Sequence, residues 1–231
     1  MNELIEKLQE KLKLYDWYIP LRTFIFSEEF ANIVKQLIEV IEDGRRFVPA
    51  LKDIFNAFEL CSYEKVQFVF VVDTLEKDLE YNKGVAIRQY KGNTRSPEHL
   101  FFCKAIKNSG YTYKKGEIDN VLFLHSSLTQ DLVRTSNKHY KIWRPFITYL
   151  IDMLDTNKKC VFILIGDNAK TYKNVIKNNF YVEAESFPDS YYKQWNHNNI
   201  FNAINEHLET PVDWGIFLKE EVSGKHRNKK T

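Results

Sequence analysis

Cysteine is scarce in this chain of 231 residues: Cys61, Cys103 and Cys160 are odd in number and far apart. No CxxC pair occurs and no Cys/His group has zinc-ligand spacing, so neither a disulfide framework nor a common structural zinc site is expected. Three isolated thiols fit burial in a reducing compartment. No run of about 18 apolar residues exists, and no membrane-spanning helix is expected. The opening stretch MNELIEKLQEKLKLYDW is amphipathic and charged, without the apolar core of a signal peptide, so an intracellular protein of the cytoplasm or nucleus is expected, not a secreted one. Neither a GxGxxG nor a P-loop pattern is found, which argues against nucleotide binding by those routes. A charge excess is missing too: 33 basic residues face 31 acidic ones, a formal net charge of +2. A dedicated nucleic-acid binder is often far more basic, although a local patch can suffice. No internal repeat or low-complexity linker divides the chain.

What is present fits a globular domain, with 44% apolar and 28% charged residues. Aromatics are abundant at 15%, with 17 Phe and 13 Tyr. Rings filling a core are the bland reading, and exposed rings that stack on bases are the alternative. Heavy use of Lys, Asn, Ile and Tyr suits a low-GC genome such as that of a virus or mobile element. One domain over 1–223 and a basic, disordered tail over 224–231 (GKHRNKKT) are expected.

Periodicity supplies the elements. Leu4, Ile5, Leu8, Leu12 and Leu14 have helical spacing. A second helix is expected from Ser27, a plausible N-cap, to Glu42, with Gly44 beyond its end. Pro49 opens a short helical stretch through Phe58. Three continuous β-branched and aromatic runs read as buried parallel strands: Val66–Asp73, Val121–Ser127 and Cys160–Asp167. A weaker strand lies near Tyr181–Ala184. Helices are expected over Pro97–Asn108, Tyr140–Leu154, Ala169–Asn178 and Asn196–Leu208. Alternating strands and helices predict a three-layer α/β/α fold around a mostly parallel, four-stranded sheet, with helices at the N-terminus.

In such sheets a ligand lies beyond the carboxyl ends of the strands. That rule singles out Asp73, His125, Gly166 with Asp167, and the loop FPDSYY from Phe187 to Tyr192.

The ordered motifs resemble family 1 of the uracil-DNA glycosylases over nearly the whole chain. Where that family has Gly-Gln-Asp-Pro-Tyr-His, Val71 to Glu76 stand here. Its Gly-Leu-x-Phe segment corresponds to Gly84-Val85-Ala86-Ile87, and Leu-Leu-Asn-x-x-Leu-Thr to Phe123 through Thr129. A helix with Trp143 follows, then Gly166-Asp167 at the family's Gly-Ser. Phe187-Pro188-Asp189-Ser190-Tyr191 stands for His-Pro-Ser-Pro-Leu, and Pro211-Val212-Asp213-Trp214 for the closing Pro-Ile-Asp-Trp.

The resemblance implies cleavage of a glycosidic bond after base flipping, with no metal or organic cofactor. It assigns Asp73 the carboxylate that supports the sugar cation and positions water. A carboxylate there could equally cap a turn. His125 stands where the family reads uracil with Asn. Neutral imidazole also offers a donor and an acceptor, in another geometry, and a structural His is the alternative. Leu75 replaces the Tyr that excludes the thymine methyl, and Ile87 the stacking Phe. Phe187 replaces the catalytic His, and losing one such donor typically costs ~2.7–4 kcal/mol in the transition state. Asp167 and Asp189 occupy two phosphate-gripping Ser positions, Ser96 could serve the third loop, and Tyr191 stands at the minor-groove wedge. Gly166, Pro188 and Ser190 complete the expected DNA-contact loops.

Three functions are therefore open. One is a divergent member without efficient uracil excision, an accessory in DNA transactions that binds DNA and a replication or repair protein. A second is an active glycosylase for uracil or another base, acting on single-stranded or uracil-containing DNA through Asp73 and His125. The third is a protein-interaction module that no longer binds DNA. Asp73, His125 and Phe187 are expected to line one pocket.

Overall fold

A computed structural model describes residues 2–73, 82–87, 96–132, 138–188, 195 and 199–218. Helices α1 (Asn2–Lys13), α2 (Tyr18–Ile25) and α3 (Glu28–Glu42) lead in. Ser27 caps α3 by accepting the Phe30 N–H, and Gly44 beyond its end has φ +70°. Next come β1 (Phe47–Val48), a 3₁₀ turn over Leu51–Asp53, α4 (Asn56–Leu60) and β2 (Phe68–Val72). The chain continues through α5 (Pro97–Asn108), β3 (Val121–His125), β4 (Gln130–Asp131), α6 (Lys138–Asn157) and β5 (Val161–Ile165). It then forms α7 (Asp167–Lys170), a 3₁₀ turn (Thr171–Asn174), β6 (Phe180–Ala184), α8 (Ile200–Asn205) and a 3₁₀ turn over Trp214–Phe217.

The main sheet is parallel, in the order β3-β2-β5-β6, with Val72 paired to both His125 and Ile165. Strands β2, β3 and β5 are buried at every residue, as continuous apolar runs demand. The pleat divides them between two cores. Val69, Val71, Leu122, Leu124, Phe162 and Leu164 pack with α1 to α4 and α6. Phe68, Phe70, Val72, Phe123, Ile163 and Ile165 pack with α5, α8 and Trp214. Aromatics are mostly core here: Trp17, Trp143, Trp214 and Tyr172 are all buried. No described helix is long and apolar enough to cross a membrane.

Two elements escape the periodicity. The two-residue strands β1 and β4 pair antiparallel across a long sequence gap, which no local pattern reports. The stretch expected as a helix to Asn178 is helical only to Lys170, then 3₁₀ to Asn174. Helix α6 in turn runs through Pro145. The missing Pro145 N–H leaves the Lys141 carbonyl unbonded within the helix, on a face where both residues are exposed to water.

Candidate active site

The parallel register carries the ends of β2, β3 and β5 to one edge. Asp73 N–H donates to the Ile165 carbonyl (2.9 Å), Ser126 N–H to that of Val72 (2.8 Å) and Gly166 N–H to that of Ala184 (2.9 Å). The Asp73 carboxylate is held tightly. Its Oδ2 accepts the Asn168 backbone N–H (2.8 Å) and side-chain amide (3.3 Å), and its Oδ1 the Ala169 N–H (3.0 Å). The Ser126 hydroxyl adds a further bond. Asp73 thus caps α7 from a different strand, satisfying N–H groups that the first helical turn leaves open. Burial pushes its carboxyl above the usual range, against the opposing pull of these hydrogen bonds. Asp73 is nevertheless only part-buried, so solvent or a ligand can reach it.

Gly166 makes this arrangement possible. Its φ of +101° is open to glycine, and a Cβ there would lie 2.7 Å from Asp73 Cβ, Cγ and Oδ2. Gly166→Ala is therefore expected to cost about 3 kcal/mol in strain and displacement of the carboxylate. That corresponds to a fall of roughly 6–12 °C in Tm, which a thermal melt would measure.

His125 leans the other way. The pleat that sends Asp73 toward α7 points His125 into the opposite core, where it bonds the Val85 backbone. The ring is 3% exposed, and burial pushes its pKa down to about 4 against the pull of that bond. The imidazole is neutral at pH 7. Its unfolded pKa is about 6.5, so the unfolded chain takes up the proton first. Stability present above pH 6.5 is lost as pH falls toward 4, by about 3 kcal/mol for this group. His139 shifts in the same direction, also through burial. Urea midpoints at pH 7 and pH 4.5 would reveal the loss, and His125→Gln would flatten it.

Beside His125 lies the segment 82–87. Ala86 N–H donates to the Phe123 carbonyl (3.2 Å). Gly84, with φ +73°, presses so close to the Asp53 backbone that a Cβ would sit 2.0 Å from its oxygen. Ile87 has φ +59°, an unfavourable left-handed conformation for a β-branched residue. Two buried residues of the first turn of α5 hold it: Glu98 Oε2 accepts the Ile87 N–H (3.5 Å), and His99 Nδ1 bonds its carbonyl (3.2 Å). Phe187 is 2% exposed and packs against Phe101 and Trp195, with ring centroids at 6.4 and 4.5 Å. Ile87, Phe187 and Val72 share one apolar cluster. His125 and Ile87 thus lie on the side of the sheet opposite to Asp73, and Phe187 is buried in the same apolar cluster as Ile87.

No family model matches the chain. It is 26% identical over 223 residues to a uracil-DNA glycosylase of Bacillus mycoides, spanning 90% of this chain and 98% of that protein. It is 28% identical over 220 residues to one of Desulfitobacterium hafniense, at 87% and 96% coverage. Along most of its length the chain is similar to uracil-DNA glycosylases. Its fold matches the crystal structure of mimivirus uracil-DNA glycosylase with a TM-score of 0.69 over 86% of each chain, at 17% identity. The glycosylase of Nitratifractor salsuginis matches with a TM-score of 0.57 over 78% of this chain and 88% of that one, at 18% identity.

Ser96 caps α5, accepting the His99 N–H (3.2 Å). Asp167 opens α7 with its side chain 92% exposed, 3.9 Å from Lys170. Pro188 is part-buried beside Phe187. Leu75, Asp189, Ser190 and Tyr191 lie outside the described residues, as does the tail. The motifs did not single out Ser126, Asn168, Glu98 or His99. Ser126 and Asn168 adjoin motif residues, which is the signal that could have found them. Nothing local marks Glu98 and His99, because they act on Ile87 only through the docking of α5.

Proposed function

We propose that this chain is a DNA glycosylase that hydrolyses the N-glycosidic bond of uracil in DNA. The observation that carries the reading is the Asp73 carboxylate, part-exposed at the strand ends and oriented by Ser126, Asn168 and Ala169. Kinship with proteins named uracil-DNA glycosylase, along most of the chain, supports it. A nucleotide draped over the sheet edge would set its base toward His125 and Ile87 and its sugar toward Asp73. As the C–N bond breaks, its electron pair leaves with the base. The carboxylate stabilises the positive charge left on the sugar, orients the water that attacks it and takes up that water's proton, while the base departs as its anion. A neutral imidazole at position 125 can donate its N–H to the departing base without giving up a full proton.

Phe187 cannot supply a hydrogen bond, so excision should run about 10²–10³ times slower than in an enzyme with a donor there. The assay is the appearance of alkali-labile sites in uracil-containing single-stranded DNA, with the thymine strand as control. Uracil-dependent sites are expected, and their absence at high enzyme concentration and long times would overturn the proposal. One observation favours a second reading, a DNA-binding accessory without excision: Phe187 is buried against Phe101 and Trp195, so packed rings fill the position aligned with the family's donor. DNA binding without alkali-labile sites would select it.

A further inference from the structure

We infer that the face of α6 bearing Lys138, Lys141 and Arg144 is a track for the phosphate backbone of single-stranded DNA. This rests on the glycosylase reading for its choice of polyanion. The three cations recur every third residue, so they form one stripe, about 9 Å long from Lys138 to Arg144. Lys141 and Arg144 are exposed and Lys138 is part-exposed. Among the described residues none of the three joins an ion pair, whereas the lysines nearer the sheet edge are neutralised. Lys170 meets Glu185 (2.5 Å) and Asp167 (3.9 Å), and Lys173 meets Glu183 (3.0 Å). The next carboxylate on that face of α6 is Asp152, about 12 Å past Arg144. Among the described residues the stripe is therefore uncompensated, in a chain with a net charge of only +2.

The stripe adjoins the site. Arg144 lies over the Tyr140 ring, 5.8 Å from its centroid. The Tyr140 hydroxyl donates to the Asn168 carbonyl (3.4 Å) and meets Thr171 Oγ1. Asn168 in turn donates to Asp73. Two residues thus separate the stripe from the carboxylate, and a strand entering the edge at Asp73 would run its phosphates along α6.

The test is the affinity of the full chain for fluorescein-labelled oligothymidylate as salt is varied. Each phosphate contact contributes about 0.7 to the log–log slope for a single strand. The combined variant Lys138→Gln, Lys141→Gln, Arg144→Gln should lower the slope by about 2 and weaken binding by roughly 100-fold near 0.1 M salt. A charge-matched control, Lys7→Gln, Lys35→Gln, Lys159→Gln, should change it little. An unchanged slope in the first variant, an equal fall in the control, no binding by the native chain, or equal binding of polyglutamate would each overturn the inference. Uracil excision is scored separately. A native chain that makes no abasic sites, with the slope still falling in the α6 variant, would sink the glycosylase reading and leave this surface standing. Excision with kcat/KM unaltered in the variant would sink the surface alone.

Discussion

Asp73→Asn should lose at least about 100-fold in uracil excision while remaining folded. The substitution keeps the side chain's shape and removes its charge, so the sugar cation loses its counter-ion. It also turns one acceptor into a donor facing N–H groups of Asn168 or Ala169. That mismatch should cost about 1–3 kcal/mol, or roughly 2–12 °C in Tm, and a melt separates it from the catalytic loss. The native chain offers a second check on the same group. Its activity should fall with acid as the carboxylate takes up a proton, with a midpoint above the ordinary aspartate range near 4, because burial raises this carboxyl. Excision that is unchanged in the variant, or a midpoint below the ordinary range, would remove Asp73 from the chemistry and leave it as a cap.

Asp155→Ala should be the most damaging single change to stability. Asp155 ends the buried part of α6 and is itself 3% exposed. Its carboxylate accepts the backbone N–H groups of Lys177 (2.8 Å), Asn178 (3.0 Å) and Asn179 (3.0 Å) and the side-chain amides of Asn178 and Asn179 (3.1 Å each). Asn179 in turn accepts the Cys160 N–H (2.9 Å). One side chain thus ties the end of α6 to the starts of β5 and β6. Alanine leaves three N–H donors without their acceptor, a loss of about 4 kcal/mol. That is a large fraction of the 5–15 kcal/mol typical of a domain and about 8–16 °C in Tm. Burial would raise the Asp155 carboxyl, but the five donors outweigh it and hold the group below the usual range. Its contribution is present above about pH 4 and lost as pH falls further. A urea titration of the variant at pH 7 checks the prediction, and a midpoint equal to the native one would refute it.

Asp155 also shows where periodicity ran out. Its helix was expected to end at Leu154, which left Asp155 as an ordinary polar residue past the end. The next helix was expected to reach Asn178, yet the backbone at 177–179 turns out to bond Asp155 instead. Helical propensity there lost to a buried carboxylate from a distant segment. By contrast, α5 spans the expected residues and Ser27 caps α3 as expected, since caps and apolar stripes are local. The site divides the same way. A polar residue after an apolar strand marked Asp73, but not the α7 N–H groups it binds. His125 was visible as the end of a strand, and its burial to 3% exposure was not.

Strand identity, the parallel α/β class and the edge where Asp73, His125 and Gly166 emerge were determined by sequence alone, because continuous β-branched runs can be buried only one way. Tertiary structure alone decided that the pleat sends Asp73 and His125 to opposite faces, that Ile87 is held left-handed by α5, and that, among the described residues, the α6 cations join no ion pair while Lys170 and Lys173 near α7 do. Each of these depends on groups brought together from distant parts of the chain, and the free energy of such contacts is set by burial and distance in space, which no local pattern encodes.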